Sequence, residues 1–362
     1  VRIAYIINSV EGGGAAAPVP ALTRVMRDCG AAVRVFALTL RDGRALPPMI
    51  AAGLDPLVRP GGLHDHIAAM RWLARETRAW GATHLWTSLS RATMMGLVLS
   101  RWRGLPAICW QHAAFLKPGN RRLLRLLQGQ ARLWIADSAC VAELTAERLK
   151  VEPARLVTWP IFAADPAAPV SLPWQPGSPL HIGSLGRLHP VKGFDILLAA
   201  LAQLRSNGFV TPVPLRVTIA GEGAQRAQLE RMVREFALGD VTFSGFTDQS
   251  RRFLAEQHLY VQPSRSEGFG IAAHEAMVAG LPVLASAVGE MPHTIHDGVT
   301  GFLFPRSDVT ALATALQRAL SRPEHLHTIG AAARTAVLER YSLSQFTTTG
   351  RAIMDRVAAM HA

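Results

Sequence analysis

Between residues 259 and 286 the chain alternates two apolar runs with one stretch of helical period, and this order limits the folds open to it. Leu259-Tyr260-Val261-Gln262-Pro263-Ser264 reads as a buried strand, and Pro282-Val283-Leu284-Ala285-Ser286 as the next one. Between them Glu267-Gly268-Phe269-Gly270 makes a turn, and Ile271, Ala272, Glu275, Ala276 and Met277 follow at helical spacing. Strand, helix and strand in that order join parallel strands through a crossover, and parallel sheets need cover on both faces. The expectation is an α/β protein built on parallel sheet.

The same alternation starts at the first residue. Residues 1–7 read as a strand, 11–14 as a glycine turn, 19–29 as a helix and 32–38 as a second strand. Helical period returns at 64–80, and short strands are expected at 84–86, 107–110 and 133–136. Residues 162–179 hold five prolines, a linker composition. A second α/β series follows, with strands at 181–186, 215–220 and 241–243 and a helix at 224–236. A last helical stretch, 344–359, places Phe346, Ile353, Met354 and Val357 at apolar positions. With 362 residues, 49% apolar and 18% charged, the chain is globular and long enough for two cores. The expected domains are 1–165 and 180–343, separated by the proline-rich stretch.

Chemistry concentrates at two loops. Glu267 and Glu275 stand eight positions apart around paired glycines, at the carboxyl end of a parallel strand, where open α/β sheets bind ligands. Glycine lets backbone approach a ligand, and the helix start offers N–H groups to phosphate, so this is a seat for a sugar attached to a phosphate. Gly186-Arg187-Leu188-His189-Pro190-Val191-Lys192-Gly193 follows the first strand of the second series. Its guanidinium and ammonium suit the two phosphates of a nucleotide diphosphate. No Asp-x-Asp occurs to hold a bridging metal and no Cys/His cluster offers a zinc site, so no metal or other cofactor is expected. Gly12-Gly13-Gly14 could approach a diphosphate too. A dinucleotide fingerprint would need G-x-G-x-x-G and a later acidic residue; here Ala15-Ala16-Ala17-Pro18 follow, and the second strand ends Ala37-Leu38-Thr39.

The pattern PS-x-x-EGFG-x-x-x-x-EA-M-x-x-G-x-PV-x-AS, with G-R-x-x-x-x-K-G upstream, resembles the donor-site signature of the retaining family 4 glycosyltransferases. The resemblance is strong over residues 182–304 and weak over the first domain. It implies the GT-B fold: two Rossmann-like parallel-sheet domains facing a central cleft, with the C-terminal helix, about 344–362, crossing back to the first. Domain 1–165 would then bind the acceptor, and 180–343 the nucleotide-sugar donor. Arg187 and Lys192 match the pair that stabilises the departing diphosphate, Glu275 the residue on the ribose hydroxyls, and Glu267 the carboxylate beside the transferred sugar. The amides of Gly268, Phe269, Gly270 and Ile271, with Gly13 and Gly14, would hold phosphate and sugar oxygens. His112 matches a histidine that contacts the sugar; Ser138 reads first as a turn residue, and Gly221-Glu222-Gly223 as either a family turn or a plain strand-to-helix turn. The implied activity is transfer of a hexose to an acceptor hydroxyl, in surface polysaccharide or glycolipid synthesis. Two alternatives are a nucleotide-sugar 2-epimerase on the same fold and a non-catalytic nucleotide-sugar-binding protein.

Charge is uneven. Residues 1–170 carry 21 Lys/Arg against 11 Asp/Glu, and 171–362 carry 17 against 15. An anionic partner is expected at the first half, either a phosphorylated or lipid-linked acceptor or a membrane surface. Residues 120–127 read as a core-facing helix with solvated arginines or as a peripheral membrane contact, with Leu123, Leu124 and Leu127 grouped on its apolar side. No nucleic-acid-binding module is present. Three cysteines in apolar surroundings, no leader pattern and no apolar run near the roughly 20 residues of a membrane span point to the cytoplasm, peripherally at the inner face of the membrane.

Overall fold

A computed structural model describes residues 1–112 and 116–360. The chain divides into two compact units, Val1–Phe162 with Ser344–Ala362, and Ala163–Leu343.

The first unit is a parallel sheet of β1 (Arg2–Ile7), β2 (Ala32–Ala37), β3 (Leu57–Val58), β4 (His84–Ser88), β5 (Ala107–Gln111), β6 (Ala131–Ala136) and β7 (Leu156–Thr158). Their spatial order is β3-β2-β1-β4-β5-β6-β7, so the winding reverses between β1 and β4. Every residue of β4 and β5 is buried, the polar His84, Thr87, Ser88 and Gln111 included, as expected of parallel strands covered on both faces. Trp86, Trp110 and Trp159 pack together in the core, Trp110 stacked on Trp159 with centroids 5.1 Å apart and Trp86 edge-on to Trp159. The helix Leu343–Ala358 buries Phe346, Gly350, Ile353, Met354 and Val357, a single face at helical spacing. Its Phe346 carbonyl accepts a 3.0 Å bond from Trp159 Nε1, so the last helix packs back onto the first sheet.

The second unit repeats the plan with β8 (Leu180–Leu185), β9 (Leu215–Ala220), β10 (Val241–Gly245), β11 (Leu259–Gln262), β12 (Val283–Ser286) and β13 (Gly301–Phe304). The order is β10-β9-β8-β11-β12-β13, again all parallel, with the reversal between β8 and β11. Helices Phe194–Ser206 and Val309–Leu320 bury their apolar residues in one core with these strands. Two Rossmann-like parallel sheets with a C-terminal helix on the first make the architecture consistent with the GT-B fold.

Two expectations need correction. Cys29 is exposed, because it caps the end of helix Val19–Asp28 beyond that helix's buried face; Cys109 is buried and Cys140 partly so. In helix Pro118–Leu127 only Leu124 is buried, and Leu123 is 43% exposed. Leu123, Leu127 and Leu124 do fall in one arc, at about 0°, 40° and 100° around the helix, but the core covers only the Leu124 side of it and leaves Leu123 in solvent. Among the described residues no helix is long and apolar enough to cross a membrane.

A Cβ on Gly350 would lie 2.4 Å from the Trp159 ring and 2.7 Å from Val25 Cγ1. Gly350→Ala should therefore cost the first unit about 1–3 kcal/mol, read as a lower urea midpoint with unchanged slope. An unaltered midpoint would show that the last helix is not held where Trp159 and Phe346 place it.

Candidate functional site

The two loops that leave the reversal point of the second sheet carry the residues singled out above. One follows β8 and holds Arg187 and Lys192; the other follows β11 and holds Glu267. Winding in opposite directions from β8 and β11 leaves this end of the sheet open to a ligand. The loops meet by backbone. Gly193 takes φ +67°, and a Cβ there would sit 2.0 Å from the Pro263 carbonyl oxygen, which only glycine avoids.

Lys192 Nζ donates to Glu267 Oε1 at 2.6 Å. The same oxygen accepts from Ser264 Oγ at 2.7 Å and Gln262 Nε2 at 3.0 Å. Glu267 is 10% exposed, so its charge is met by three donors rather than by water. Arg265 staples the loops together. Its backbone N–H donates to the Val191 carbonyl at 2.7 Å, and its guanidinium makes two bonds to Asp195, of 2.8 and 2.6 Å. Burial pushes the Asp195 carboxyl up, but the hydrogen bond and charge of Arg265, with two backbone N–H groups, hold it below the usual range.

Arg187 is exposed on its loop. The Gly221–Gly223 turn lies against that loop: a Cβ on Gly221 would be 1.9 Å from the Gly186 carbonyl oxygen, and one on Gly223 2.3 Å from that of Leu188. Close backbone packing is the reason for glycine at both positions.

Glu275 is half-buried on helix Ile271–Val278. Burial raises its carboxyl, while the charge of Arg251 and a hydrogen bond from Ser250 pull it back. Burial also raises the Tyr260 hydroxyl, and the charges of both Glu267 and Glu275 add to it, so the two carboxylates bear on one point. That hydroxyl lies 3.1 Å from Gln262 Oε1 and 3.2 Å from the Leu185 carbonyl, tying β11 to β8.

Gly270, at φ +84°, starts the helix, and no side chain caps it, which leaves first-turn N–H groups for a ligand. The Phe269 side chain turns inward and stacks on buried His274, with centroids 4.0 Å apart. Burial lowers His274 to about 4, a bond to the Gly270 carbonyl opposes this, and the charge of Arg340 adds to the lowering. The neutral ring faces the Gly270 carbonyl with Nδ1 at 3.0 Å and Thr294 Oγ1 with Nε2 at 3.2 Å. Nδ1–H therefore donates to the carbonyl, which leaves Nε2 an acceptor facing a threonine hydroxyl whose one proton is shared with the Glu290 carbonyl, 3.2 Å away.

In the first unit, Gly13 takes φ +149° after β1, and its carbonyl accepts from Ala16 and Ala17 N–H at 3.2 and 3.0 Å. Gly14 follows in the same turn. His112, just after β5, is 6% exposed. Its Nε2 lies 2.6 Å from Ser88 Oγ, its Nδ1 lies 3.4 Å from Asp137 Oδ2, and its ring stacks on Trp110. Both ring nitrogens thus face protein groups in this conformation. Burial raises the Asp137 carboxyl, and the neighbouring imidazole lowers it. Ser138 caps helix Ala139–Leu149, accepting from Val141 N–H at 3.1 Å. Sequence reasoning missed Ser88, Tyr260, Gln262 and Arg265. Only Gln262 carried a signal, a polar residue closing an otherwise apolar strand. Among the described residues no three His, Cys, Asp or Glu side chains gather as a metal site.

Residues 174–336 match the family of glycosyl transferases group 1, to which the second unit is therefore related. The chain is 36% identical over 159 residues to a D-inositol 3-phosphate glycosyltransferase of Streptomyces griseus, covering 41% of this chain and 33% of that protein. A protein of the same name from Arthrobacter is 29% identical over 279 residues, 69% of this chain and 64% of its own. A putative colanic acid biosynthesis glycosyltransferase, WcaL of Salmonella typhimurium, is 31% identical over 41% of this chain and 38% of its own. The matched stretch thus spans about one third to two thirds of the length of these relatives. In structure the chain resembles Anabaena Alr3699/HepE, solved in complex with UDP and glucose, with TM-score 0.83 and 19% identity over 99% of this chain and 100% of that one. That likeness is one of fold.

His274 yields a pH prediction. Its folded value, about 4, lies below the ordinary 6.5. The unfolded chain therefore binds the extra proton first, and stability contributed by the neutral ring is lost as pH falls from 6.5 towards 4. Relative to His274→Gln, the wild type should lose on the order of 3 kcal/mol across that window. Parallel pH profiles for the two proteins would show that His274 is not held neutral.

Proposed function

We propose that the chain is a retaining glycosyltransferase that moves a hexose from a nucleotide diphosphate sugar to an acceptor hydroxyl, in the synthesis of a bacterial surface polysaccharide or glycolipid. The observation that carries this reading is the contact between Lys192 and Glu267 at the reversal point of the second sheet. A cation for phosphate and a carboxylate for sugar hydroxyls stand within one ligand's reach, beside a glycine-started helix. Relatedness of residues 174–336 to group 1 glycosyl transferases supports it.

In this reading Arg187 and Lys192 bind the diphosphate, Glu275 the ribose hydroxyls and Glu267 the sugar. The amides of Gly268, Phe269, Gly270 and Ile271 hold phosphate and sugar oxygens, and Gly13, Gly14 and His112 complete the donor and sugar contacts. The bond from the anomeric carbon to the phosphate oxygen breaks with its electron pair going to the phosphate. The acceptor oxygen bonds to the same face of that carbon, and its proton passes to the departing phosphate. Arg187 and Lys192 stabilise the developing charge, the largest single contribution in such sites, and no metal is assigned to the task. The first unit binds the acceptor, at the inner face of the cytoplasmic membrane.

Thermal melts with UDP, GDP, ADP and NAD, each with and without a chelator, test the donor class. A ligand at 100 times its Kd should add about 2.7 kcal/mol to stability. Stabilisation by one nucleoside diphosphate irrespective of chelator is the expected outcome; a shift with NAD alone, or with nothing, sinks the reading. Lys192→Ala should leave the fold intact and lower turnover by about 100-fold or more. Near-wild-type rates in that variant would remove Lys192 from the mechanism.

A further inference from the structure

The first unit exposes apolar side chains on the same helices that carry its arginines. Helix His66–Ala79 buries Ala69, Leu73 and Thr77. Its opposite side presents Ile67, Arg71, Arg75 and Arg78 at helical spacing, and Ile67 is 72% exposed. Helix Ser90–Arg103 buries half of its residues, and its last turn carries Trp102, also 72% exposed. Trp102 and Arg103 share with Arg71, Arg75 and Arg78 an open groove of about 960 Å³ whose lining contains no carboxylate. Arg75 pairs with the neighbouring Glu76, whereas Nη1 of Arg103 is buried without a hydrogen-bond partner. Helix Pro118–Leu127, which packs on Ser90–Arg103, continues the pattern with Leu126 78% exposed beside Arg122 and Arg125.

Isolated exposed apolar residues need no explanation, but an exposed indole beside a row of arginines does. Indole rings favour the bilayer interface, where the ring enters the headgroup layer and its edge stays wet. Guanidinium groups bind phosphate in paired hydrogen bonds while their stems lie along apolar surface. An acidic peptide would satisfy the arginines and leave Trp102, Ile67 and Leu126 in water.

We propose that the face formed by helices His66–Ala79 and Ser90–Arg103 docks on an anionic lipid bilayer, with Trp102 and Ile67 entering the interface and Arg71, Arg78 and Arg103 holding lipid phosphates. This extends the membrane contact read from residues 120–127 to a different and larger surface, and it does not rest on the transferase reading.

The test uses the full chain with phosphatidylcholine vesicles, with and without phosphatidylglycerol, and with brominated acyl chains as a quencher of indole fluorescence. Binding should require phosphatidylglycerol and weaken as salt rises. Trp102→Ser should abolish most of the quenching, and Arg71→Gln with Arg78→Gln should lower partitioning by about tenfold or more, at roughly fivefold per arginine. Val210→Ser, at an 85% exposed site in the second unit, should change nothing. These side chains are exposed, so the variants should fold, and their nucleotide-dependent melts should match the wild type. Absence of binding to anionic vesicles, or equal binding by all variants, overturns the proposal. So does binding of a polyglutamate peptide by this face without vesicle binding, which would identify a protein partner instead.

Discussion

The second unit depends on one topological constraint, a parallel sheet that winds outward in both directions from β8. Strand order β10-β9-β8-β11-β12-β13 sends the loop after β8 and the loop after β11 out side by side, with their helices departing in opposite directions. Lys192 and Glu267 are 75 residues apart in the chain, yet they meet because of this reversal. Glycines make the meeting close: Gly193 against the Pro263 carbonyl, Gly221 against that of Gly186. Arg265 then fixes the distance between loops by holding Val191, Pro190 and Asp195 together.

Such a site carries an electrostatic cost that its neighbours offset unevenly. Glu267 is satisfied by three donors, whereas Glu275 is raised by burial and only partly relieved by Arg251 and Ser250. Beneath them Tyr260 and His274 are kept neutral, one as a phenol and one as an imidazole, and both hold backbone carbonyls. Neutral polar groups under a charged loop rigidify it without adding a charge that a ligand would have to displace.

How much of this was legible in the sequence follows the range of the interactions. Strand-turn-helix order at residues 259–286 is local, and so is the glycine-bounded loop at 186–193, so both could be read directly. Register is not local. Nothing in the pattern around Arg265 announces Asp195 as its partner, and Ser88 and Asp137 reach His112 only because β4, β5 and β6 are neighbours. Strands β3 and β7, two and three residues long, are too short to show a period and exist because the sheet edge accepts them. The misreading of Leu123 has a different origin. Four leucines among three arginines fit more than one helical face, and burial of Leu124 alone was decided by the packing of the helix.

The pairing of Lys192 with Glu267 looks at first opposed to a role in holding an anion, since an ammonium already engaged by a carboxylate is a weak receptor for phosphate. The surroundings resolve this. Losing one partner of a buried pair is costly when the remaining charge has no other donor. Glu267 keeps Ser264 Oγ and Gln262 Nε2 if Lys192 swings away, and both are neutral donors to the same oxygen. Lys192 itself is 26% exposed, on a one-turn 3-10 segment, Pro190–Lys192, ahead of the fixed helix. An arriving diphosphate therefore exchanges one charge-assisted bond for another without stranding the carboxylate. In the absence of a ligand the same contact holds the two loops together.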